Sequence, residues 1–144
     1  MSEWRSVCCV VRSTVERMTG ERCSALTPTE LGRRGEDLAA FFLESQGLVV
    51  LSRNWRCPEG ELDIVAADWA RGRLVVCEVK TRSGTAFGKP AEAVDHMKAT
   101  RIRRLTHRWR ATYSIPYCDT RFDIVSILWP GHGPAQVEHL RGAF

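Results

Sequence analysis

Two short apolar runs joined by a polar connector are the feature that most restricts the fold of this chain. They cover residues 61–67 and 73–81, and their Val and Ile content around a Gly-containing connector is typical of a β-hairpin. If residues 69–72 form a four-residue loop, Asp63 falls directly opposite Glu78, with their Cβ atoms roughly 5 Å apart. Facing carboxylates repel one another unless a cation lies between them, so the hairpin predicts a cation site.

Alternation of side chains along the strands predicts which residues share a face of this hairpin. Leu62 and Ile64 are expected together on the face opposite Asp63, and Lys80 is expected two positions beyond Glu78 on the same side as Glu78. A carboxylate pair beside an ammonium group suits metal-assisted phosphodiester cleavage. It offers oxygen ligands for a hard cation and a positive charge near the attacking water.

The order Asp63, then Glu78-Val79-Lys80, resembles the PD-(D/E)xK nuclease signature, with Leu62 where the name of the signature has proline. With the upstream run Arg33-Arg34-Gly35-Glu36, the chain is similar to the uncharacterised bacterial YraN-like family, described as predicted endonucleases related to Holliday junction resolvases. The similarity covers about residues 26–144. It includes Gly60-Glu61-Leu62, Phe87-Gly88, Arg121-Phe122-Asp123 and Gly142-Ala143-Phe144.

The resemblance implies an α/β restriction-endonuclease-like core, a mixed β-sheet flanked by helices in the order αβββαβ. It also implies a Mg²⁺- or Mn²⁺-dependent endonuclease that acts on branched or structured DNA, with DNA favoured over RNA. The implied metal ligands are Asp63, Glu78, the carbonyl of Val79 and Glu36, and Lys80 completes the catalytic set with Asp63, Glu78 and Glu36. Taken without the resemblance, Glu36 is a solvated carboxylate on the first helix.

Helix-start and turn signals divide the rest of the chain. Thr27 is the predicted N-cap of the first helix, Pro28 takes its first position, Glu30 completes a capping box and Gly47 ends it. The predicted buried stripe of this helix consists of Leu31, Leu38 and Phe42. Further strands are predicted at residues 48–56, 121–129 and 136–140, a substrate-side loop at 83–90, and a second helix at about 90–110. Asp123 is expected to be a structural acid paired with Arg121 or a neighbour, and the orientation of a catalytic group is the alternative.

The predicted second helix is strongly basic. Residues 98–110 contain six Lys and Arg side chains and no acid. The predicted apolar stripe consists of Val94, Leu105 and Trp109, flanked by Ile102 and Met97, whereas Arg103, His107 and Arg110 are expected to point away. Lys98 falls inside the stripe, where a snorkelling side chain and a role at the site are equally consistent with its position. Phosphate contacts are predicted for Lys98, Arg101, Arg104 and Arg108, and a solvated basic face is the alternative.

Composition limits the class of protein. The 144 residues suit one domain, predicted at 26–144 after a poorly ordered extension at 1–25 in which Met18 is an alternative start. The net charge of +4 is modest, and the six cysteines show no CxxC pair that would indicate zinc. With no secretion signal and no apolar stretch long enough for a bilayer, a cytoplasmic protein without membrane contact is expected.

Three classes of function fit these patterns. The first is the metal-dependent nuclease. The second is a nucleic-acid-binding module of the same fold without turnover, against which the complete set of two acids and a lysine argues. The third is an interaction module or ribosome-associated accessory factor that uses the basic helix. The oligomeric state stays open, and a homodimer is one option.

Overall fold

Seven elements make up the described part of the chain, which in this computed structural model covers residues 26–84, 94–130 and 134–144. In chain order they are α1 (Pro28–Ser45), β1 (Val49–Cys57), β2 (Gly60–Asp68), β3 (Arg73–Arg82), α2 (His96–Thr112), β4 (Asp119–Leu128) and β5 (Gln136–Leu140). The predicted α/β class and the predicted element order are confirmed, and the strand bounds agree with the sequence to within two residues. The N-terminal 25 residues and the Phe87-Gly88 loop lie outside the described residues.

The five strands form one mixed sheet with the spatial order β1-β2-β3-β4-β5. Neighbouring strands run antiparallel except β3 and β4, which are parallel from Arg73 beside Asp119 to Arg82 beside Leu128. A parallel pair needs a crossover connection, and α2 is part of the segment that joins β3 to β4. This arrangement is consistent with a restriction-endonuclease-like core.

Apolar side chains leave the sheet on both faces and form two separate clusters. On β3, Val75 and Cys77 pack towards α1, whereas Leu74 and Val76 pack towards α2. The first cluster includes Leu38, Leu43, Ile64, Val125, Ile127 and Trp129, and the second includes Val65, Ile102, Leu105 and Trp109. The sheet is therefore covered by one helix on each face, which leaves the ends of its strands as the place for polar groups.

Helix α1 begins and ends as its sequence predicts. The side chain of Thr27 accepts a hydrogen bond from the Glu30 N–H at 3.2 Å, and the Glu30 carboxylate accepts one from the Thr27 N–H at 2.8 Å. Gly47, at φ 84°, takes the left-handed conformation that follows many helix ends. Leu38 is fully buried, and Leu31 and Phe42 pack at the edge of the same cluster.

Helix α2 differs from the prediction at its start. It begins at His96, with Asp95 as its N-cap, so Val94 precedes the helix instead of starting its apolar stripe. Met97 is 82% exposed and does not flank the stripe. The later start follows from the capping bond, because the Asp95 carboxylate accepts a hydrogen bond from the Lys98 N–H at 2.7 Å and closes the first turn.

The rotation of α2 on the sheet also corrects the prediction for one of its arginines, Arg110. Arg110 is only 8% exposed, and its guanidinium lies over the Tyr117 ring at 5.0 Å from the centroid. Arg103 is exposed but packs over Phe122 at 5.4 Å. The expectation that Arg110 points away is therefore wrong, because the Tyr117 ring after α2 covers it, whereas Arg103 and His107 are exposed as expected.

Strand alternation is interrupted where β1 passes Asp63. The β1–β2 ladder pairs Arg53 with Ile64 and Trp55 with Leu62, but between these pairs Asn54 adopts a left-handed conformation with φ 48°. On β2, Leu62 packs in the cluster under α2 and Ile64 in the cluster under α1. The prediction that Leu62 and Ile64 share one face is wrong, because their side chains join clusters on opposite faces of the sheet.

Neither described helix is long and apolar enough to cross a membrane.

Candidate active site

The hairpin register brings Asp63 to Glu78. The β2–β3 ladder runs from Asp68 paired with Arg73 to Ile64 paired with Cys77, as the four-residue loop predicts, and the next positions along the two strands are Asp63 and Glu78. The Asp63 Oδ2 atom accepts a hydrogen bond from the Val79 N–H at 2.8 Å. This bond ties the Asp63 carboxylate to the segment of β3 that carries the second acid.

The carboxylate of Asp63 lies among other negatively charged side chains. Burial, then the neighbouring charge of Glu78, raise the pKa of Asp63 to about 7, against the lowering effect of the Val79 hydrogen bond. The charge of Glu36 also raises the pKa of Asp63. A cation bound beside Asp63 would therefore offset the burial and the negative charges that oppose ionisation of its carboxyl group.

Glu78 contacts two ammonium groups that come from different elements. Lys80, two residues along β3, places its Nζ 3.3 Å from Glu78 Oε1, and Lys98 of α2 contacts the same oxygen. Burial and the neighbouring Lys98 lower the pKa of Lys80, whereas the hydrogen bond with Glu78 outweighs burial and raises the pKa of Lys98. The expected carboxylate pair beside Lys80 is present, and Lys98 of α2 contacts the same pair.

Glu36 reaches the neighbourhood of the pair from α1. Its Oε2 atom accepts a hydrogen bond from the side-chain amide of Asn54 at 2.8 Å, and the adjacent Asp37 pairs with Arg53. Asn54 was missed by the sequence analysis, although an Asn inside a strand pattern is a signal for a left-handed residue. Asn54 thus holds Glu36 close enough for its charge to act on Asp63, but the carboxylate oxygens of Glu36, Asp63 and Glu78 do not all lie within 4.8 Å of one another.

A different trio of possible ligands lies deeper in the fold. Within the described ranges, Cys77, Asp123 and His139 are the one group of three such residues whose ligand atoms lie within 4.8 Å of one another. Both Asp123 oxygens accept hydrogen bonds from Arg121 at 2.8 Å, His139 lies 2.7 Å from Oδ2, and these partners outweigh burial to lower the pKa of Asp123 to about 2. Burial raises the pKa of Cys77, which favours the protonated thiol. This group is therefore a structural ion-pair network, as predicted for Asp123.

The four α2 residues predicted to contact phosphate lie in three environments. Lys98 contacts the carboxylate site. Arg101 and Arg104 are exposed and, with Lys98, help to line an open groove of about 720 Å³ at the start of α2. Arg108 pairs with Glu59 in the turn between β1 and β2. These four residues thus extend from the acid pair along the helix, and the last of them, Arg108, is paired with an acid.

The model of the uncharacterised protein family UPF0102 matches residues 35–127 of this chain. The chain belongs to this family. A UPF0102 protein of Frankia alni is 56% identical over 114 residues, which cover 79% of this chain and 93% of that protein. One of Beutenbergia cavernae is 51% identical over 112 residues (78% and 93%), and one of a Nocardioides species is 46% identical over 125 residues (87% and 98%).

Membership of UPF0102 confirms the YraN-like resemblance. The part that the UPF0102 model matches begins at Gly35 and ends in β4, so it contains Glu36, Asp63, Glu78, Lys80 and Lys98. The names of these UPF0102 relatives give no activity. Any function must therefore be argued from the chemistry of the site.

Proposed function

We propose that this chain is a divalent-metal-dependent endonuclease that hydrolyses phosphodiester bonds in DNA. The observation that carries the proposal is the carboxylate pair of Asp63 and Glu78, in which Asp63 accepts a hydrogen bond from the N–H of Val79, the residue after Glu78, and the Lys80 ammonium lies 3.3 Å from Glu78. A protein that only binds nucleic acid has no need of two adjacent, partly buried carboxylates, because their mutual repulsion opposes folding.

The donor set fits a hard divalent cation. Carboxylate oxygens are the ligands that Mg²⁺ and Mn²⁺ prefer, and the raised pKa of Asp63 reflects negative charge that such an ion would neutralise. Asp63, Glu78 and the carbonyl of Val79 would hold the ion, with Glu36 as a further ligand. When bound, the ion would polarise the scissile phosphate and lower the pKa of an attacking water.

The remaining roles fall to cations of this chain. Lys80 lies beside Glu78, where its ammonium orients the attacking water and offsets the negative charge of the transition state. Arg101 and Arg104 bind phosphates along the groove that leads to Lys98.

Branched or structured DNA is the proposed substrate class, and a module of the same fold that binds without turnover is the competing function. The contact of Lys98 with Glu78 favours that alternative, since it neutralises part of the site without a metal.

A cleavage panel with the purified protein tests the proposal. Single-stranded, duplex, flapped and four-way DNA would be incubated with Mg²⁺ or Mn²⁺ and, in parallel, with EDTA. We expect metal-dependent cleavage that falls at least about 100-fold in Glu78→Ala and in Lys80→Ala. Glu138→Ala, which removes an exposed carboxylate from β5, is the matched control and should cleave like the parent.

Two results would contradict the nuclease. Full activity in Glu78→Ala or Lys80→Ala, with the fold intact by circular dichroism, would exclude the proposed mechanism. Salt-sensitive binding of the same substrates without cleavage in either metal would support the binding module instead.

A further inference from the structure

We propose that Lys98 is an internal counter-cation of the carboxylate site that competes with the divalent ion for Glu78. In this role Lys98 compensates the acids while the metal is absent, and metal binding releases its ammonium towards the phosphate groove. The inference rests on the proposed function and concerns how the same site is loaded.

The position of Lys98 is set by the start of α2. Its backbone N–H is held at 2.7 Å by the Asp95 carboxylate that caps the helix, so the side chain leaves the first turn towards β3. There it contacts the Glu78 oxygen that also lies 3.3 Å from Lys80. The side chains of Lys98 and Glu78 are 22% and 12% exposed, so water and salt screen this pair less than a surface pair.

The distribution of charge over the site is uneven. Glu78 has two ammonium partners, whereas Asp63 accepts only a backbone N–H among the contacts of the described residues. A divalent ion held by Asp63 and Glu78 would lie close to the Lys98 ammonium, because Lys98 contacts the Glu78 carboxylate. Like charges a few ångströms apart repel strongly in a partly buried site. Lys98 must therefore weaken metal binding for as long as its ammonium stays at Glu78.

The groove gives the released ammonium a destination. Lys98 lines the open groove at the start of α2 together with Arg101 and Arg104, whose side chains are exposed. A turn of the flexible four-carbon stem moves the charge from Glu78 to this groove. A lysine that only snorkels along an apolar surface would instead leave metal affinity unchanged when its charge is removed.

A calorimetric titration with Mn²⁺ alone measures the competition between Lys98 and the ion for Glu78. Lys98→Met removes the charge but keeps the length of the stem, Lys98→Arg keeps the charge, and Arg103→Gln removes one positive charge from the same helix at a position over Phe122. We expect Lys98→Met to bind Mn²⁺ at least about tenfold more tightly than the parent. Lys98→Arg and Arg103→Gln should bind like the parent.

A second readout covers a variant that is poorly stable without metal. The rise in melting temperature on adding a fixed Mn²⁺ concentration should be larger in Lys98→Met than in the parent, because tighter binding stabilises the folded state more. Equal or weaker Mn²⁺ binding by Lys98→Met would overturn the inference.

The outcomes for the inference and for the proposed function are distinct. A parent that binds Mn²⁺ through Asp63 and Glu78, with Lys98→Met unchanged, contradicts only the competition. Binding by Lys98→Met alone supports it in its strongest form. Failure of both proteins to bind Mn²⁺ refutes the metal site itself and the inference with it.

Discussion

Asp63 is the residue at which burial and charge oppose ionisation most directly. Its carboxylate lies next to Glu78 and within the field of Glu36, and it accepts a hydrogen bond from the Val79 N–H. Because the pKa of Asp63 in the folded protein is about 7, well above the value of about 3.9 in an unfolded chain, the folded state holds this proton more tightly. The free energy of unfolding therefore decreases, on account of Asp63, as the pH rises from about 4 to 7.

Asp63→Asn should remove this pH dependence. The amide oxygen still accepts the Val79 hydrogen bond, but the variant has no charge to repel Glu78. In EDTA at pH 8 we expect its melting temperature to exceed that of the parent by at least about 3 °C, and the difference to vanish near pH 4. Thermal melts across this pH range check the prediction. A clearly lower melting temperature at pH 8 would mean that Asp63 is a structural partner of a cation such as Lys80.

At the scale of elements, the approach of α1 to β3 decides where Glu36 lies. A Cβ atom added at Gly35 would fall 1.8 Å from Thr81 Oγ1 and 2.7 Å from Thr81 Cβ, so the helix touches the strand where glycine has no side chain. Thr81 is β-branched and stiff, and it cannot turn away cheaply. Gly35 therefore sets the spacing that lets the next residue, Glu36, meet Asn54.

Gly35→Ala should push α1 off the strand. We expect a loss of about 1–3 kcal/mol in the free energy of unfolding, measured by urea denaturation, as for other overpacked sites. Gly32→Ala is the matched control, because nothing lies within 4 Å of a Cβ there and alanine should stabilise the helix by up to about 1 kcal/mol.

Removal of the Thr81 side chain identifies the cause of that loss. In a Thr81→Gly background, Gly35→Ala should cost much less than in the parent, since both atoms of the clash are gone. An equal cost in both backgrounds would show that the contact between α1 and β3 is not what requires glycine.

At the scale of the whole molecule, the arrangement of charge matters more than its modest total of +4. Several arginines are bound to acids, among them Arg53 with Asp37 and Arg108 with Glu59. Arg101 and Arg104 have no acidic partner within the described ranges, and both line the groove beside Lys98. Unpaired cations next to the acid pair are the arrangement expected of a surface that guides a phosphate backbone to the site.

Reversal of Arg101 and Arg104 to Glu should weaken binding to all DNA sequences alike, since phosphate contacts position without specifying. The slope of log affinity against log salt should flatten by about 0.9 for each lost contact on duplex DNA. Fluorescence anisotropy in EDTA at several salt concentrations measures both quantities. Arg33→Glu with Arg141→Glu changes the net charge equally at exposed positions elsewhere, and should flatten the slope less. Unchanged affinity and slope in the Arg101/Arg104 variant would make this helix a solvated face.

Local rules account for what the sequence by itself determined. The capping box at Thr27, the turn at Gly47 and the four-residue loop that pairs Asp68 with Arg73 each depend on neighbouring residues, and all are confirmed. The same loop predicted that Asp63 and Glu78 meet, because a hairpin register follows from loop length. The family resemblance needed only these short motifs.

Tertiary packing decided what local rules could not. Leu62 and Ile64 packed on opposite faces of the sheet, and the left-handed Asn54 gave Glu36 a partner 18 positions away in the chain. The rotation of α2 buried Arg110, exposed Met97 and brought Lys98 to Glu78. These outcomes depend on how one whole element turns and settles against another. The rotation and position of an element are determined by the sum of many weak contacts between residues distant in sequence, and no short stretch of the chain contains that information.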